Sequence, residues 1–344
     1  MITIRTLSQR LAAACGVLVL VTVLFAGHCQ SGKGLLIQNL YVTEYGVAGE
    51  VAPGGKTAAR PAIPAGVAAT PGVLLFPLTA SGNVAPSAAI TGTSTALDFP
   101  TSSAFDASGN IYVTNLDSNS VTVYAAGASG DIAPISTISG TNTGLNQPEG
   151  VALDAKGNIY VANFGPGGGS VTIYSAGASG DVAPLSTISG SSTNLGSPFG
   201  IAIDAEGKIY VANVNGVGVT VYPAGANGNV NPVATLSLKG AAGVALDASN
   251  NIYVSINASA PTPSVIVYPA GGGTTPIATI SGNSTTLMNP DGIAVDAGGN
   301  IYVADLGVDG VLVFAAGANG NIAPAATISG SNTQIIGARG VTVQ

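Results

Sequence analysis

Residues 147–190 read QPEGVALDAKGNIYVANFGPGGGSVTIYSAGASGDVAPLSTISG and contain four short apolar runs separated by turn residues. GVALD and NIYVAN are separated by Ala-Lys-Gly, SVTIY follows a glycine-rich connection, and LSTIS follows a Gly/Ser/Asp/Pro turn over residues 176–184. Runs of about five residues bounded by such turns are typical of β-strands. The segment therefore predicts one four-stranded antiparallel sheet.

The same segment recurs along the chain. The tetrapeptide NIYV starts at Asn110, Asn158, Asn251 and Asn300, KIYV starts at Lys208, and NLYV starts at Asn39, which makes six copies. The last five start 48, 50, 43 and 49 residues apart, whereas an Ala/Pro/Gly-rich loop over residues 46–70 lengthens the first interval to 71 residues. One such sheet cannot bury both of its faces, so the six sheets are expected to stack around an axis. We predict an all-β fold, a six-bladed β-propeller of four-stranded antiparallel blades.

The two ends of the repeat array predict how the ring closes. Residues 338–344 (ARGVTVQ) match the first strand of a copy, whereas residues 35–45 (LLIQNLYVTEY) supply a second strand without the usual first strand before it. We expect the C-terminal strand to pair with the N-terminal blade and to close the ring. Residues 30–344 then form a single propeller domain.

Composition excludes several classes of protein. The chain of 344 residues has 49 Gly, 20 Pro and only 7% charged residues, which disfavours helical bundles. The net charge is −7, and a surface with this excess of acidic groups is a poor partner for nucleic acid.

The N-terminus has the layout of an export signal. Arg5 and Arg10 precede an apolar run over residues 11–27, and polar residues follow. We assign residues 1–29 as a signal peptide or an N-terminal membrane anchor, with lipidation at Cys29 as a further alternative. The protein is accordingly expected to be exported, whether periplasmic, at the cell surface or secreted, and to contact a membrane only through this segment.

A family resemblance is carried by residues 290–305, PDGIAVDAGGNIYVAD. This stretch resembles an NHL repeat and is similar to the blade motif of the senescence marker protein/gluconolactonase-like propellers. The resemblance covers nearly all of residues 35–344 and implies a six-bladed propeller. It does not imply one activity, because such propellers include protein-binding modules, extracellular sensor domains, metal-dependent lactonases and lyases.

The residue inventory limits the chemistry. The chain has one His, His28, and no Cys beyond Cys29, which removes Ser/His/Asp hydrolysis, thiolate nucleophiles and His- or Cys-ligated metals from the domain. Carboxylate chemistry remains, through a hard metal such as calcium or magnesium. Most carboxylates belong to the repeat, however, and five of them precede the first hairpin turn of a blade, where Asp accepts hydrogen bonds from turn amides: Asp106, Asp154, Asp204, Asp247 and Asp296.

The positions at which the blades differ are more informative. Five residues before the turn Asp, each blade has one side chain at the start of its first strand, and these side chains are expected to ring the mouth of the central channel: Arg339, Thr101, Glu149, Phe199, Ala242 and Asp291. Resemblance to the lactonase-like propellers implies metal ligands here, and Asp291 in Pro290-Asp291-Gly292 and Glu149 in Pro148-Glu149-Gly150 match them. Phe199 and Ala242 offer no oxygen ligand, the blade order places Glu149 and Asp291 on opposite sides of the axis, and Arg339 is expected beside Asp291, where it competes with a metal. We therefore expect no cofactor, with a divalent metal at Glu149 and Asp291 as the alternative.

A second ring follows the tyrosine strand of each blade: Glu44, Asn115, Asn163, Asn213, Ile256 and Asp305. Its polar members either cap the strand end or face a ligand together with the first ring. The tentative ligand-binding set at the channel mouth is thus Glu149, Asp291, Arg339, Thr101, Phe199, Asn115, Asn163, Asn213 and Asp305, and no catalytic residue is assigned.

Three functions are consistent with these residues. The first is an exported, non-enzymatic propeller, expected to be a monomer, that binds a protein, glycan or peptide through one loop face. The second is a divalent-metal-dependent lactonase or esterase-like hydrolase at the channel mouth, in which a metal-bound water attacks the substrate. The third is a rigid structural element of an envelope or matrix.

Overall fold

The computed structural model describes residues 38–44, 70–258 and 260–344. The predicted signal or anchor over residues 1–29 lies outside these residues, and so does the predicted loop over residues 46–70 apart from Thr70. The described part contains strands, turns and two short 3₁₀ segments, Asn283–Thr285 and Ser331–Thr333. None of its helical segments has the length and apolar character needed to span a membrane.

The strands form six four-stranded antiparallel sheets, and each sheet is one blade. From the innermost strand outward, blade 1 is β24 (Ala338–Val343), β1 (Asn39–Glu44), β2 (Gly72–Pro77) and β3 (Ala88–Thr91); blade 2 is β4 (Pro100–Phe105), β5 (Ile111–Asn115), β6 (Ser120–Tyr124) and β7 (Ser136–Ile138); blade 3 is β8 (Pro148–Leu153), β9 (Ile159–Asn163), β10 (Ser170–Tyr174) and β11 (Ser186–Ile188). Blade 4 is β12 (Pro198–Ile203), β13 (Ile209–Asn213), β14 (Gly218–Tyr222) and β15 (Ala234–Ser237); blade 5 is β16 (Ala241–Leu246), β17 (Ile252–Ile256), β18 (Ser264–Tyr268) and β19 (Ala278–Ser281); blade 6 is β20 (Pro290–Val295), β21 (Ile301–Asp305), β22 (Gly310–Phe314) and β23 (Ala326–Ser329).

The ring closes through the C-terminal strand. β24 pairs antiparallel with β1, so that Val341 lies opposite Val42 and Thr342 lies opposite Tyr41. Neighbouring innermost strands pack against each other around the whole ring, including β24 against both β20 and β4. The predicted fold, with its closing strand, is confirmed.

The core lies between blades, because each sheet has two faces to bury. One cluster joins Tyr112 and Val121 of blade 2 to Val151 and Val161 of blade 3, and equivalent clusters occupy other junctions. The repeated aromatic residues of the third strands are buried, and the Tyr174 hydroxyl donates to the Thr143 carbonyl at 2.6 Å. Buried hydroxyls that find such a partner cost little to desolvate.

The repeated turn Asp residues form the hydrogen bonds that their position predicts. Asp154 Oδ1 accepts from the amides of Lys156 and Asn158, each at 2.9 Å, and its Oδ2 accepts from the Asn158 side chain at 2.8 Å. In blade 1 the position belongs to Gln344, whose Oε1 accepts from the Tyr41 hydroxyl at 3.0 Å. The repeated Asp carboxylates therefore stabilise hairpin turns.

Candidate functional site

We call the six variable side chains at the starts of the innermost strands the first ring: Arg339, Thr101, Glu149, Phe199, Ala242 and Asp291. A local irregularity in each innermost strand directs them toward the channel mouth. Each ring residue is the second residue of its strand, and the register of pairing with the second strand shifts at or next to it, for example between Pro148 and Gly150 in β8 and between Pro290 and Ile293 in β20. A β-bulge of this kind bends the strand and redirects a side chain. The repeat thus directs one variable side chain per blade toward the channel mouth.

Arg339 connects two carboxylates that lie on opposite blades. Its Nη2 donates to both Glu149 carboxylate oxygens at 2.9 Å, and its Nη1 donates to Asp291 Oδ2 at 3.0 Å. The three side chains are almost completely buried, with exposed fractions between 2% and 4%. We refer to Arg339, Glu149 and Asp291 as the channel-mouth triad. As the blade order predicts, Arg339 lies beside Asp291, and it also reaches across the mouth to Glu149.

Aromatic and hydroxyl groups surround the triad. The Arg339 guanidinium carbon lies 4.8 Å from the Phe199 ring centroid and 5.9 Å from that of Phe99, which places both rings at cation–π distance. The Thr101 hydroxyl lies within hydrogen-bonding distance of the Pro148 and Glu149 carbonyls, at 3.1 and 2.9 Å. Thr101 therefore fixes the backbone beneath Glu149 and does not face open solvent.

The triad carries one excess negative charge, since two carboxylates share one guanidinium. Burial raises the pKa of Glu149 to about 7 and the pKa of Asp291 to about 6, and the Arg339 guanidinium opposes both shifts. Taking up one proton would make the triad neutral in a poorly solvated place. Proton uptake near neutral pH is therefore expected of the pair as a unit.

The donor set does not fit a divalent metal. Calcium takes 6–8 oxygen ligands and magnesium about six, including water. Glu149 and Asp291 each face the same guanidinium, and no group of three or more His, Cys, Asp or Glu side chains close enough to share an ion occurs in the described part of the chain. A metal at this position would have to displace a buried arginine from both carboxylates.

Four polar residues of the second ring cap the loops that lead into the innermost strands. Asn163 Oδ1 accepts from the Asn146 amide at 3.0 Å, and its Nδ2 donates to the Thr172 hydroxyl at 3.1 Å. Asn115 and Asn213 make the equivalent pair of bonds in their own blades. Asp305 accepts from the Met288 and Asn289 amides at 2.8 and 2.9 Å. All four side chains are buried, so their hydrogen bonds stabilise loops.

Almost all of the predicted ligand-binding side chains are buried. Eight of the nine are buried, and Phe199 alone of the nine is half-buried. Phe99, a neighbour of Arg339, was absent from the predicted set because it lies before β4 and outside the repeat position. Its place next to Pro100 at the start of an innermost strand is the signal that could have identified it. Whether any of the nine binds a ligand stays a prediction.

Beyond the triad, the innermost strands enclose a channel of about 390 Å³. One layer of its wall is aliphatic on five blades and has a serine on the sixth: Val151, Ile201, Val244, Ile293, Val341 and Ser103. The Ser103 carbonyl accepts from the Thr342 hydroxyl. Among the residues of its wall, only Glu149 and Arg339 carry titratable side chains.

Comparison with known proteins identifies the family. A family model described as "Lactonase, 7-bladed beta-propeller" matches residues 110–341. The chain belongs to this family. The described residues of this lactonase-family propeller form six blades, whereas the family description names seven. No curated protein sequence matches the chain.

Solved structures share the fold of this lactonase-family propeller at low sequence identity. A chain of the nidogen/laminin complex is 15% identical with a TM-score of 0.58, and the alignment covers 89% of this chain and 98% of that one. A Bacteroides caccae protein of unknown function is 10% identical with a TM-score of 0.60 and the same two coverages. A Lactobacillus plantarum protein is 16% identical with a TM-score of 0.53, covering 85% and 82%. These likenesses show the fold alone.

Proposed function

We propose that the chain is an exported, non-enzymatic binding propeller that presents the loop face around its channel mouth to a protein, glycan or peptide. The observation that carries this proposal is the channel-mouth triad. Arg339 contacts both carboxylates that a metal-dependent hydrolase would need as ligands. Both carboxylates are held by this guanidinium, and recognition is assigned to the surrounding loops.

The loops of this face suit hydrogen-bonded recognition. Loops from the outermost strand of one blade to the innermost strand of the next are rich in Ser, Thr and Asn, as in SGTNTGLNQ over residues 139–147. Within that loop Thr141 and Asn142 are exposed, whereas Thr143 is buried beneath them. Hydroxyl and amide groups held by a rigid scaffold fit polar ligands. The NHL-like sequence of the blades and the signal-like residues 1–29 support a binding role outside the cytoplasm.

The test is a binding screen of the full chain against glycan and peptide arrays, followed by variants on the two faces. Thr141→Arg changes the loop face, and Ile135→Arg is the matched control because Ile135 lies in a β6–β7 connection at the opposite end of the strands. We expect a ligand whose binding Thr141→Arg weakens at least about tenfold while Ile135→Arg leaves it unchanged. Ligands affected only by Ile135→Arg would move the site to the other face.

The alternative is a metal-dependent lactonase, which the family match favours. In this alternative Glu149 and Asp291 would hold a divalent ion that polarises the lactone or activates a water. A panel of lactones assayed with Ca²⁺, Mg²⁺, Mn²⁺ and Zn²⁺ distinguishes the two functions. We expect no metal-dependent turnover, and turnover abolished by both Glu149→Gln and Asp291→Asn would establish the lactonase.

A further inference from the structure

Five of the six outermost strands are covered by a loop of the neighbouring blade. The covering loops share the pattern Gly-(Asp or Asn)-(Ile or Val) between the third and fourth strands: residues 82–84, 130–132, 180–182, 228–230 and 320–322. The glycine of each loop forms an isolated parallel bridge with the outermost strand of the preceding blade. The Gly180 amide, for example, donates to the Thr137 carbonyl at 2.7 Å, and the Ser139 amide donates to the Gly180 carbonyl at 3.2 Å.

Each position of the covering pattern has a physical reason. The five glycines have φ between +74° and +85°, a conformation that residues with a Cβ rarely adopt. The second residue caps the loop that follows the covered strand, as when Asp181 Oδ1 accepts from the Asn142 amide at 2.7 Å. At three of the junctions the third residue packs against the core between the blades: Ile132, Val182 and Val230.

Among the described residues, none covers the outermost strand at the junction between blades 4 and 5 in this way. The blade 5 connection over residues 269–276 is two residues shorter than its blade 4 counterpart over residues 223–232, and the pattern is missing. Its Gly272 approaches the Leu236 side chain, but no parallel bridge to β15 is formed by any residue that the structure describes. In blade 3, the Thr187 carbonyl and the Ser189 amide pair with Gly228 of the next blade. The Thr235 carbonyl and the Ser237 amide occupy the equivalent positions in β15 of blade 4.

The open edge is also more exposed and carries a positive charge. Thr235 and Ser237 are exposed, whereas Thr137 and Thr187 in covered strands are half-buried. Lys239, two residues beyond the strand, is exposed and forms no ion pair with any described residue. An uncovered strand edge presents main-chain N–H and C=O groups with which another strand can pair, and Lys239 beside it favours a partner segment that carries an acidic side chain.

We propose that β15 is a docking site for an extended partner segment of the type Gly-Asp-(Ile or Val), which adds to blade 4 as an outer strand. The five covering loops define this occupant, because each fills the same place with the same backbone bonds. The second residue of the partner segment would cap the loop after β15, which is reduced to residues 238–240. This loop contains Lys239, so an acidic second residue is favoured over Asn. Pairing of main-chain groups supplies affinity and the side chains supply specificity. The site lies on the outer rim, so it stands independently of the function proposed for the loop face.

The test uses a synthetic peptide with the sequence of residues 176–185, AGASGDVAPL, added to the full chain. Amide hydrogen exchange is followed at Thr235–Ser237, with the covered Ser189 amide as the internal reference. We expect Ser237 to exchange faster than Ser189 in the free protein and to slow at least about tenfold at saturating peptide. A peptide with valine in place of its glycine cannot adopt the bridging conformation and is expected not to bind.

Two variants separate docking from a general effect. Ser237→Pro removes the outward-facing amide of β15. Replacement of residues 269–276 by a copy of residues 223–232 restores a covering loop. Both variants are expected to abolish peptide binding while the protein still melts cooperatively. Ser189→Pro, the matched change in a covered strand, is expected to lower the melting temperature. Protection of Ser237 equal to that of Ser189 in the free protein would overturn the proposal. Protection that rises with protein concentration instead would assign the edge to a second copy of the chain.

Discussion

At the scale of single residues, Arg339 is the side chain on which the channel mouth depends most. Arg339→Met leaves Glu149 and Asp291 buried without their shared guanidinium. Removing one partner of a buried ion pair typically costs about 3–5 kcal/mol. A loss of that size lowers the melting temperature of a domain of this size by roughly 5–8 °C. Differential scanning calorimetry at pH 8 measures it.

The control for this prediction also removes the two carboxylate charges that Arg339→Met leaves unpaired. The triple variant Arg339→Met, Glu149→Gln, Asp291→Asn has no buried charge left at the mouth and is expected to recover much of the lost stability. If Arg339→Met alone melts like the wild type, Arg339 does not hold the two buried carboxylates in the folded protein.

At the scale of elements, the innermost strands approach one another closely at a glycine that follows the ring residue in five blades. A Cβ built on Gly200 would lie 2.7 Å from the Ala242 carbonyl oxygen and 2.8 Å from the Gly243 Cα, both in the next blade. Gly200→Ala is therefore expected to push two blades apart and to cost about 1–3 kcal/mol. Chemical denaturation measures the change in the free energy of unfolding.

Gly298 provides the matched control for Gly200. It lies in a turn, has no backbone atom of another strand near its Cβ position, and does not have a positive φ. Gly298→Ala is expected to change stability by no more than about 0.5 kcal/mol. Equal effects of the two substitutions would show that the packing of innermost strands does not require the glycine.

The elements also show how far the sequence predicts the structure. Six blades, the closing strand and the turn role of Asp154 follow from the repeat, because each copy encodes the same local hydrogen bonds. The reach of Arg339 across the mouth to Glu149 does not follow, since it depends on a bulge in β24 and on a long side chain crossing between blades. The capping role of Asn163 is one of the two alternatives that the sequence leaves open, and its hydrogen bonds to the Asn146 amide and the Thr172 hydroxyl match it. The open edge of β15 does not follow from blade 4 alone. It becomes apparent only when the connection over residues 269–276 is compared with the loops that cover the other outermost strands.

At the scale of the whole molecule, stability is expected to depend on pH in two windows of opposite sign. Burial raises the pKa of Glu149 and Asp291 in the folded state above their ordinary values of 4.5 and 3.8. The folded protein then binds a proton more tightly than the unfolded chain. The corresponding stability is complete below about pH 4 and is lost as the pH rises toward about 7, by at most about 1.4 kcal/mol per pH unit for each proton.

The turn carboxylates act in the other direction at lower pH. Burial alone would raise the pKa of Asp106, Asp154, Asp247 and Asp296, but hydrogen bonds from turn amides and Asn side chains outweigh it and lower each pKa. Their stabilisation is lost as the pH falls through these lowered values. Melting temperatures measured from pH 3 to pH 8 are expected to pass through a maximum between the two windows, and Glu149→Gln is expected to flatten the fall on the alkaline side. A fall of unchanged slope in that variant would assign the neutral-pH effect to other groups.

A thermal-shift titration with Ca²⁺, Mg²⁺, Mn²⁺ and Zn²⁺ tests whether Arg339 holds both channel-mouth carboxylates or leaves them to a metal ion. A ligand at 100 times its dissociation constant stabilises the folded state by about 2.7 kcal/mol, which is a rise of roughly 4 °C or more for a domain of this size. Because Arg339 contacts both carboxylates, we expect no such rise with any of the four ions in the wild type. A rise of that order, abolished by both Glu149→Gln and Asp291→Asn, would contradict this expectation and would make the channel mouth a metal site.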